Sequence, residues 1–443
     1  MAVGVFGRRG GDGSLMFHFD YDDRGQLCAE GVPVSAIADA VGTPTYIYAK
    51  ATLERHFRVF DEAFQGHPHL VCYAMKANSS LAVLELLAAR GAGADIVSGG
   101  ELRRALHAGI PPEKIVFSGV GKADWELSDG LEARILCFNV ESEPELSALE
   151  QVARQKNVQA PVSLRVNPDV DPQTHPYIAT GLAESKFGIP IEEGLRLAEH
   201  IRRSDHLDLV GLDCHIGSQI VTLPPLLEAL DSILKLADRL RAQGHGIHHV
   251  DLGGGLGIPY HSESPPHPSE LGKSVLERMK GRPETLVLEP GRVIVGNAGI
   301  LLSRVLFRKP TQARTFVIVD AAMNDLLRPS LYGAFHDIWP ARRAQPDGGR
   351  EVVDVVGPVC ETGDTFAKGR SVPRLERGDL VAFMSAGAYG FVMSSNYNAR
   401  GRPAEVMVDG DRWAVVRERE SLDDLMNHER GLDAFGGTEG DAG

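Results

Sequence analysis

Eight apolar, strand-like runs recur between residues 70 and 290, and helix-like segments fill most of the gaps between them. The runs are LVCYAMK (70–76), GADIVS (93–98), KIVFSG (114–119), ILCFNV (135–140), PVSLRVN (161–167), LVGLDCHIG (209–217), HHVDLGG (248–254) and TLVLEPG (285–291). The intervening segments, such as SLAVLELLAARG and EPELSALEQVARQ, space their apolar residues near the helical period, and several end on glycine. Strands that alternate with helices imply parallel βαβ units. Eight such units predict a (β/α)8 barrel of the TIM type over residues 45–291. A doubly wound open sheet satisfies the same pattern.

After Gly291 the chain changes style. TFVIVD, EVVDVVGPVC, DLVAFMSA and AEVMVDGDRWAVVR are β-rich and separated by turn residues, and Asp-Gly in VDGDR signals a hairpin. Residues 292–425 are therefore expected to form a mostly antiparallel β domain with one helical or irregular patch, MNDLLRPSLYGAF. The hairpin-like segment 16–44 is assigned to the same domain. Residues 1–15 read as a disordered leader and 426–443 as a flexible tail.

Composition narrows the function classes. The net charge of −14 disfavours broad binding to nucleic acid or anionic membrane. No apolar run approaches the roughly 20 residues that span a bilayer, and the start of the chain has no signal-peptide core, so a cytoplasmic location is expected. The five cysteines (Cys28, Cys72, Cys137, Cys214, Cys360) contain no CxxC pair, which argues against a disulfide framework and a zinc site. Three of them, Cys72, Cys137 and Cys214, sit in apolar runs, where an inert buried thiol is usual. A small-molecule substrate remains.

Barrel enzymes place their chemistry at the C-terminal ends of the strands. Here those ends carry Lys76, Asp95, Arg165, His215 with Ser218, the glycines 253–255, and Glu289 with Arg292. Taken alone, Lys76 reads as a strand-end lysine that snorkels. The alternative is an amine in an apolar pocket with a depressed pKa, suited to Schiff-base chemistry. Successive glycines can form a phosphate nest, and a barrel's common phosphate site follows strands seven and eight. GGGLGIPY lacks the G-x-G-x-x-G spacing of a dinucleotide fold. A lysine and a phosphate nest at one mouth suit pyridoxal 5'-phosphate. Glu289 would then pair with its ring nitrogen.

These residues, with YAMKAN, HIGSQ, GGGLG, EPGR, CETGD and NYN, resemble the fold-type III pyridoxal-phosphate decarboxylases, which combine an alanine-racemase-like barrel with a β domain. HPYIATG (175–181), SKFGI (185–189) and MNDLLRPSLYGA (323–334) look like the members that act on meso-2,6-diaminopimelate. The likeness spans about residues 16–425. It implies decarboxylation to L-lysine and CO2, the last step of bacterial lysine synthesis. It also implies residue roles. Lys76 would carry the cofactor, with Asp95 beside it, Arg165 near it and His215 stacked on its ring. Ser218, Gly254, Gly255, Gly291, Arg292 and Tyr397 would hold the cofactor, chiefly its phosphate. Arg292, Arg328, Tyr332 and Tyr397 would bind substrate. Glu361 and Cys360 would enter from the other subunit of a homodimer, Glu361 to meet the distal ammonium and Cys360 as the acid that returns a proton. Two alternatives stay open: a decarboxylase of ornithine, arginine, carboxynorspermidine or a carrier-bound amino acid, and a non-catalytic cofactor-binding or regulatory homologue.

Overall fold

The computed structural model describes residues 17–171, 186–344 and 349–432. The expected leader, HPYIATG and the tail beyond 432 lie outside these residues. All eight expected strands form: β1 (His69–Ala74), β2 (Gly93–Ile96), β3 (Ile115–Phe117), β4 (Cys137–Val140), β5 (Ala160–Asn167), β6 (Leu207–Asp213), β7 (His249–Asp251) and β8 (Thr285–Leu288). Each pairs in parallel with its neighbour in chain order, and β8 returns to pair with β1, which closes the barrel. The open-sheet alternative is thereby excluded. Helices join successive strands. Ser98 caps one by accepting from the Glu101 N–H, and Ser142 caps another by accepting from Glu145.

The strands stop earlier than the apolar runs suggest. β1 ends at Ala74, and Met75–Ala77 turn as a short 3₁₀ helix, so Lys76 stands on that turn and not on the strand. β6 ends at Asp213 and β7 at Asp251, which leaves His215 and the glycines in the loops above.

The β domain is built around Thr45–Ala49. This strand lies between Gly299–Pro310, antiparallel, and Ala404–Asp409, parallel. The expected barrel boundary at residue 45 therefore falls one strand early: the side chains of Thr45–Ala49 are all buried among β-domain strands, and the chain turns toward the barrel at helix Lys50–Glu62. The predicted hairpin forms between Ala404–Asp409 and Arg412–Arg417, with Gly410 at φ +65° in its turn. The segment Phe19–Pro33 makes a small three-stranded sheet, and its Phe19 and Leu27 share a core with Ile47 and Ile300. In the irregular patch only Arg328–Tyr332 is helical. Among the described residues, no helix is long and apolar enough to cross a membrane.

Candidate active site

The mouth of the barrel gathers reactive groups from both domains. Parallel pairing sets Ala74 of β1 beside Asp95 of β2. Lys76, two residues on, donates from Nζ to Asp95 Oδ2 at 2.7 Å. The expected depressed pKa does not occur. Burial presses the amine's pKa down, but Asp95 above all, then Glu289, outweigh it and hold it well above the ordinary lysine range. Lys76 shares a pocket of about 320 Å³ with His215, Ser218, Gly255, Glu289, Gly291, Arg292 and Tyr389.

His215 accepts the Gly254 N–H on Nδ1 at 3.1 Å. Burial, then the Lys76 and Arg165 charges, keep the imidazole neutral by lowering its pKa well below the usual value. The glycines are required by close approach. A Cβ on Gly254 would lie 2.2 Å from the Glu289 carbonyl oxygen, and one on Gly255 would lie 2.5 Å from that of Gly217. Gly255 also sits at φ +108°, a conformation that side chains rarely adopt.

Beneath the mouth lies a group of buried acids. Asp213, Asp251 and Glu289, at or just past the ends of β6, β7 and β8, present carboxylate oxygens within 4.8 Å of one another. Burial raises all three pKa values. Asp213 reaches about 7 against the pull of Arg165. Glu289 and Asp251 are pushed further, each also by neighbouring acids. Asn139 and Ser118 make long contacts to Glu289 Oε1, at 3.4 and 3.5 Å. Arg165 is buried below, donating to Glu141 at 2.9 Å and standing 3.6 Å from Asp213.

Two guanidiniums face the mouth from the β-domain side. Arg292 donates to Ser218 Oγ at 3.0 Å and to the Tyr260 hydroxyl at 2.7 Å, and it stacks on Tyr389 at 4.9 Å. Arg328 donates to His336 Nε2 at 2.9 Å and lies over the Tyr260 ring at 4.6 Å. Both arginines are buried, and among the described residues neither is paired with a carboxylate. Tyr332, partly buried on the Arg328 helix, contributes to the field at Arg292.

Three of the expected site residues lie elsewhere. Cys360, Glu361 and Tyr397 are exposed together on the β domain. Tyr397 donates to Glu361 Oε2 at 2.9 Å, and the Cys360 N–H donates to Asn398 Oδ1 at 3.1 Å. The tyrosine in this chain's own pocket is Tyr389, not Tyr397, because the turn after Leu380–Phe383 carries it back over Ala77, whose carbonyl accepts its N–H at 2.8 Å. The sequence signal for it is GAYGF, whose Gly387 and Gly390 lie too close to the backbone of Val295 and Ala386 to carry a side chain, while Tyr389 holds φ +55° between them. Asp213, Asp251, Tyr260 and His336 also belong to the site without having been expected there. Each lies inside or beside one of the apolar or glycine-rich runs, where nothing local sets it apart.

The residues fit pyridoxal phosphate. Asp95 Oδ1, both oxygens of Asp213 and Asp251 Oδ2 are buried without a donor. Burial and repulsion from neighbouring acids raise the pKa values of Asp213, Asp251 and Glu289, and a protonated ring nitrogen would supply the nearby positive charge that favours a carboxylate among them. The glycine turn, Ser218 and Arg292 offer donors and space for a phosphate. Lys76 is the amine within reach.

Residues 50–296 match the family described as pyridoxal-dependent decarboxylase, pyridoxal binding domain. A diaminopimelate decarboxylase from Vibrio cholerae is 53% identical over 411 residues, 93% of this chain and 98% of that protein. One from Pseudomonas aeruginosa is 55% identical, with 92% and 97% covered. The crystal structure of diaminopimelate decarboxylase from Helicobacter pylori complexed with L-lysine superposes with a TM-score of 0.86 at 42% identity, covering 91% of this chain and all (100%) of that one.

Proposed function

Since this chain belongs to the diaminopimelate decarboxylases, a family of pyridoxal-dependent decarboxylases, we propose that its barrel mouth converts meso-2,6-diaminopimelate to L-lysine and CO2. The observation that carries the substrate assignment is the pair of buried arginines, Arg292 and Arg328, with no acid partner among the described residues. An uncompensated buried cation is costly, so such a pair favours an anionic ligand. A substrate that keeps a second carboxylate supplies one, and a guanidinium fork matches it. Ornithine has no such group.

Bound pyridoxal phosphate supplies a carbonyl that condenses with amines and a ring that accepts electrons as CO2 departs. Lys76 is the residue that would hold that carbonyl, since its Nζ is the amine in the pocket. Asp95 is at proton-exchange distance from Lys76 Nζ, so it takes the proton that the lysine must lose to become a nucleophile. Glu289 would pair as the carboxylate with the protonated ring nitrogen, whose positive charge offsets the burial and neighbouring acids that otherwise raise the Glu289 pKa. His215, neutral, packs on the ring. Ser218, the Gly254, Gly255 and Gly291 backbone, Arg292 and Tyr389 hold the phosphate. Arg292, Arg328 and Tyr332 hold the distal carboxylate.

In this reading the enzyme is a homodimer with shared sites. What supports it is that Cys360, Glu361 and Tyr397 are exposed and that none of them lines their own chain's Lys76 pocket. Across the interface Glu361 meets the distal ammonium, and Cys360 Sγ returns a proton to the α-carbon.

The test is turnover of meso-diaminopimelate, ornithine and arginine by the purified holoenzyme. CO2 and L-lysine from the first alone is the expected result. Equal or faster release from ornithine would overturn the substrate assignment, and no release from any would support a non-catalytic homologue.

A further inference from the structure

We propose that His336 is a positioning residue for the substrate's distal carboxylate: it fixes the Arg328 guanidinium through a neutral acceptor and so leaves the arginine's full charge for the ligand. Arginine can only donate, so the His336 nitrogen 2.9 Å from Arg328 Nη1, Nε2, must carry the lone pair. The ring proton is then on Nδ1, which donates to the Met384 carbonyl at 2.8 Å. One tautomer satisfies both contacts.

The surroundings hold that arrangement. His336 is 1% exposed. Gly333, at φ +60°, ends the Arg328 helix and turns the chain back, so that His336 meets the arginine eight residues before it. Arg370 donates to the His336 carbonyl at 2.9 Å and packs on the Phe335 ring. The imidazole faces Arg328, Arg292 and Arg370, and burial together with these charges pushes its pKa down to about 3. Both influences favour the neutral imidazole that the two hydrogen bonds require.

The chemical choice is informative. An aspartate or glutamate in place of His336 would hold Arg328 more strongly, but it would also cancel the charge that binds substrate. Arg292 follows the same rule, since its partners are the neutral hydroxyls of Ser218 and Tyr260. Arg328 Nε, buried and without any partner, is the edge left over.

This inference rests on the reading of Arg328 as a carboxylate binder, and one experiment separates the two. Competitive inhibition of the holoenzyme is measured with L-lysine and with 1,5-diaminopentane, the same diamine without the carboxylate. His336→Asn retains a donor for Met384 but loses the acceptor for Arg328. His336→Gln places its acceptor near the Nε2 position. In His336→Asn, L-lysine should bind about tenfold more weakly while 1,5-diaminopentane is unchanged, and KM for substrate should rise with kcat nearly constant. His336→Gln should recover most of the lysine affinity. If Arg328→Gln loses lysine selectively but both His336 variants do not, the role of His336 is overturned. If Arg328→Gln weakens both ligands equally, the reading of Arg328 fails first.

Discussion

Lys76 Nζ stands 2.7 Å from Asp95 Oδ2, while the other oxygen of that fully buried carboxylate has no donor. The ion pair stores the lysine in its charged, unreactive form. Asp95→Asn should lower the Lys76 pKa, because it removes the negative charge that does most to raise it. Cofactor uptake by the apo-protein, followed by absorbance against pH, should then proceed at lower pH than in the wild type. An unchanged pH profile would mean that Asp95 does not control the amine.

The buried acids should make stability depend on pH in an unusual direction. The Asp213 pKa is about 7 in the folded chain against an ordinary 3.8. The folded state therefore binds the extra proton, and stability from this group is complete below about pH 4 and lost as pH rises through about 7. Asp213→Asn should raise the apo-protein's thermal midpoint at pH 8 and change it less at pH 5. A larger effect at pH 5 would contradict this sign.

Tyr389 and Tyr397 can be told apart by cofactor retention. Tyr389 lines the Lys76 pocket, and Tyr397 pairs with Glu361 on the surface. Tyr389→Phe should weaken phosphate-cofactor binding by about tenfold, the scale of one hydrogen bond to a charged group. Tyr397→Phe should leave retention after dialysis unchanged. The reverse result would restore the expectation drawn from the sequence.

The proposed homodimer with shared sites predicts complementation. Lys76→Ala and Cys360→Ala should each be inactive alone, because each damages every site of its own homodimer. Mixing them under conditions that exchange subunits should produce dimers with one intact site and measurable lysine formation. No recovery, with exchange verified by a tagged subunit, would place Cys360 in its own chain's site or outside catalysis.

Periodicity is enough to find the barrel, because each strand is apolar, short and bounded by loop residues. The strand ends are less legible. Lys76 lies in an apolar run, yet the backbone turns at Met75, since the lysine must leave the ladder to face Asp95. Asp213 and Asp251 are hidden within their strands, because an acid at the last strand position reads like any soluble cap. What marks them, their mutual approach, arises only when three strands distant in sequence become neighbours. Arg328 reads locally as a turn arginine before a proline. Its burial depends on Tyr260, which comes from the opposite domain, and His336. A tyrosine near the cofactor is expected from the sequence, but the chain offers two candidates eight residues apart, and only the turn that seats Tyr389 over Ala77 distinguishes them.

The strand Thr45–Ala49 has one neighbour that begins at residue 299 and another that begins at residue 404. Every barrel strand, in contrast, lies between residues 69 and 288. A ribosome that has passed residue 291 has thus delivered all eight barrel strands, while Thr45–Ala49 still waits for both partners. Domains form as units in order of synthesis. In this chain a strand made before any of the barrel's is among the last to be paired, and Tyr389 and Arg328, which finish the mouth, emerge in that same late interval. The nascent barrel consequently presents Lys76 and Asp95 before the arginine wall exists.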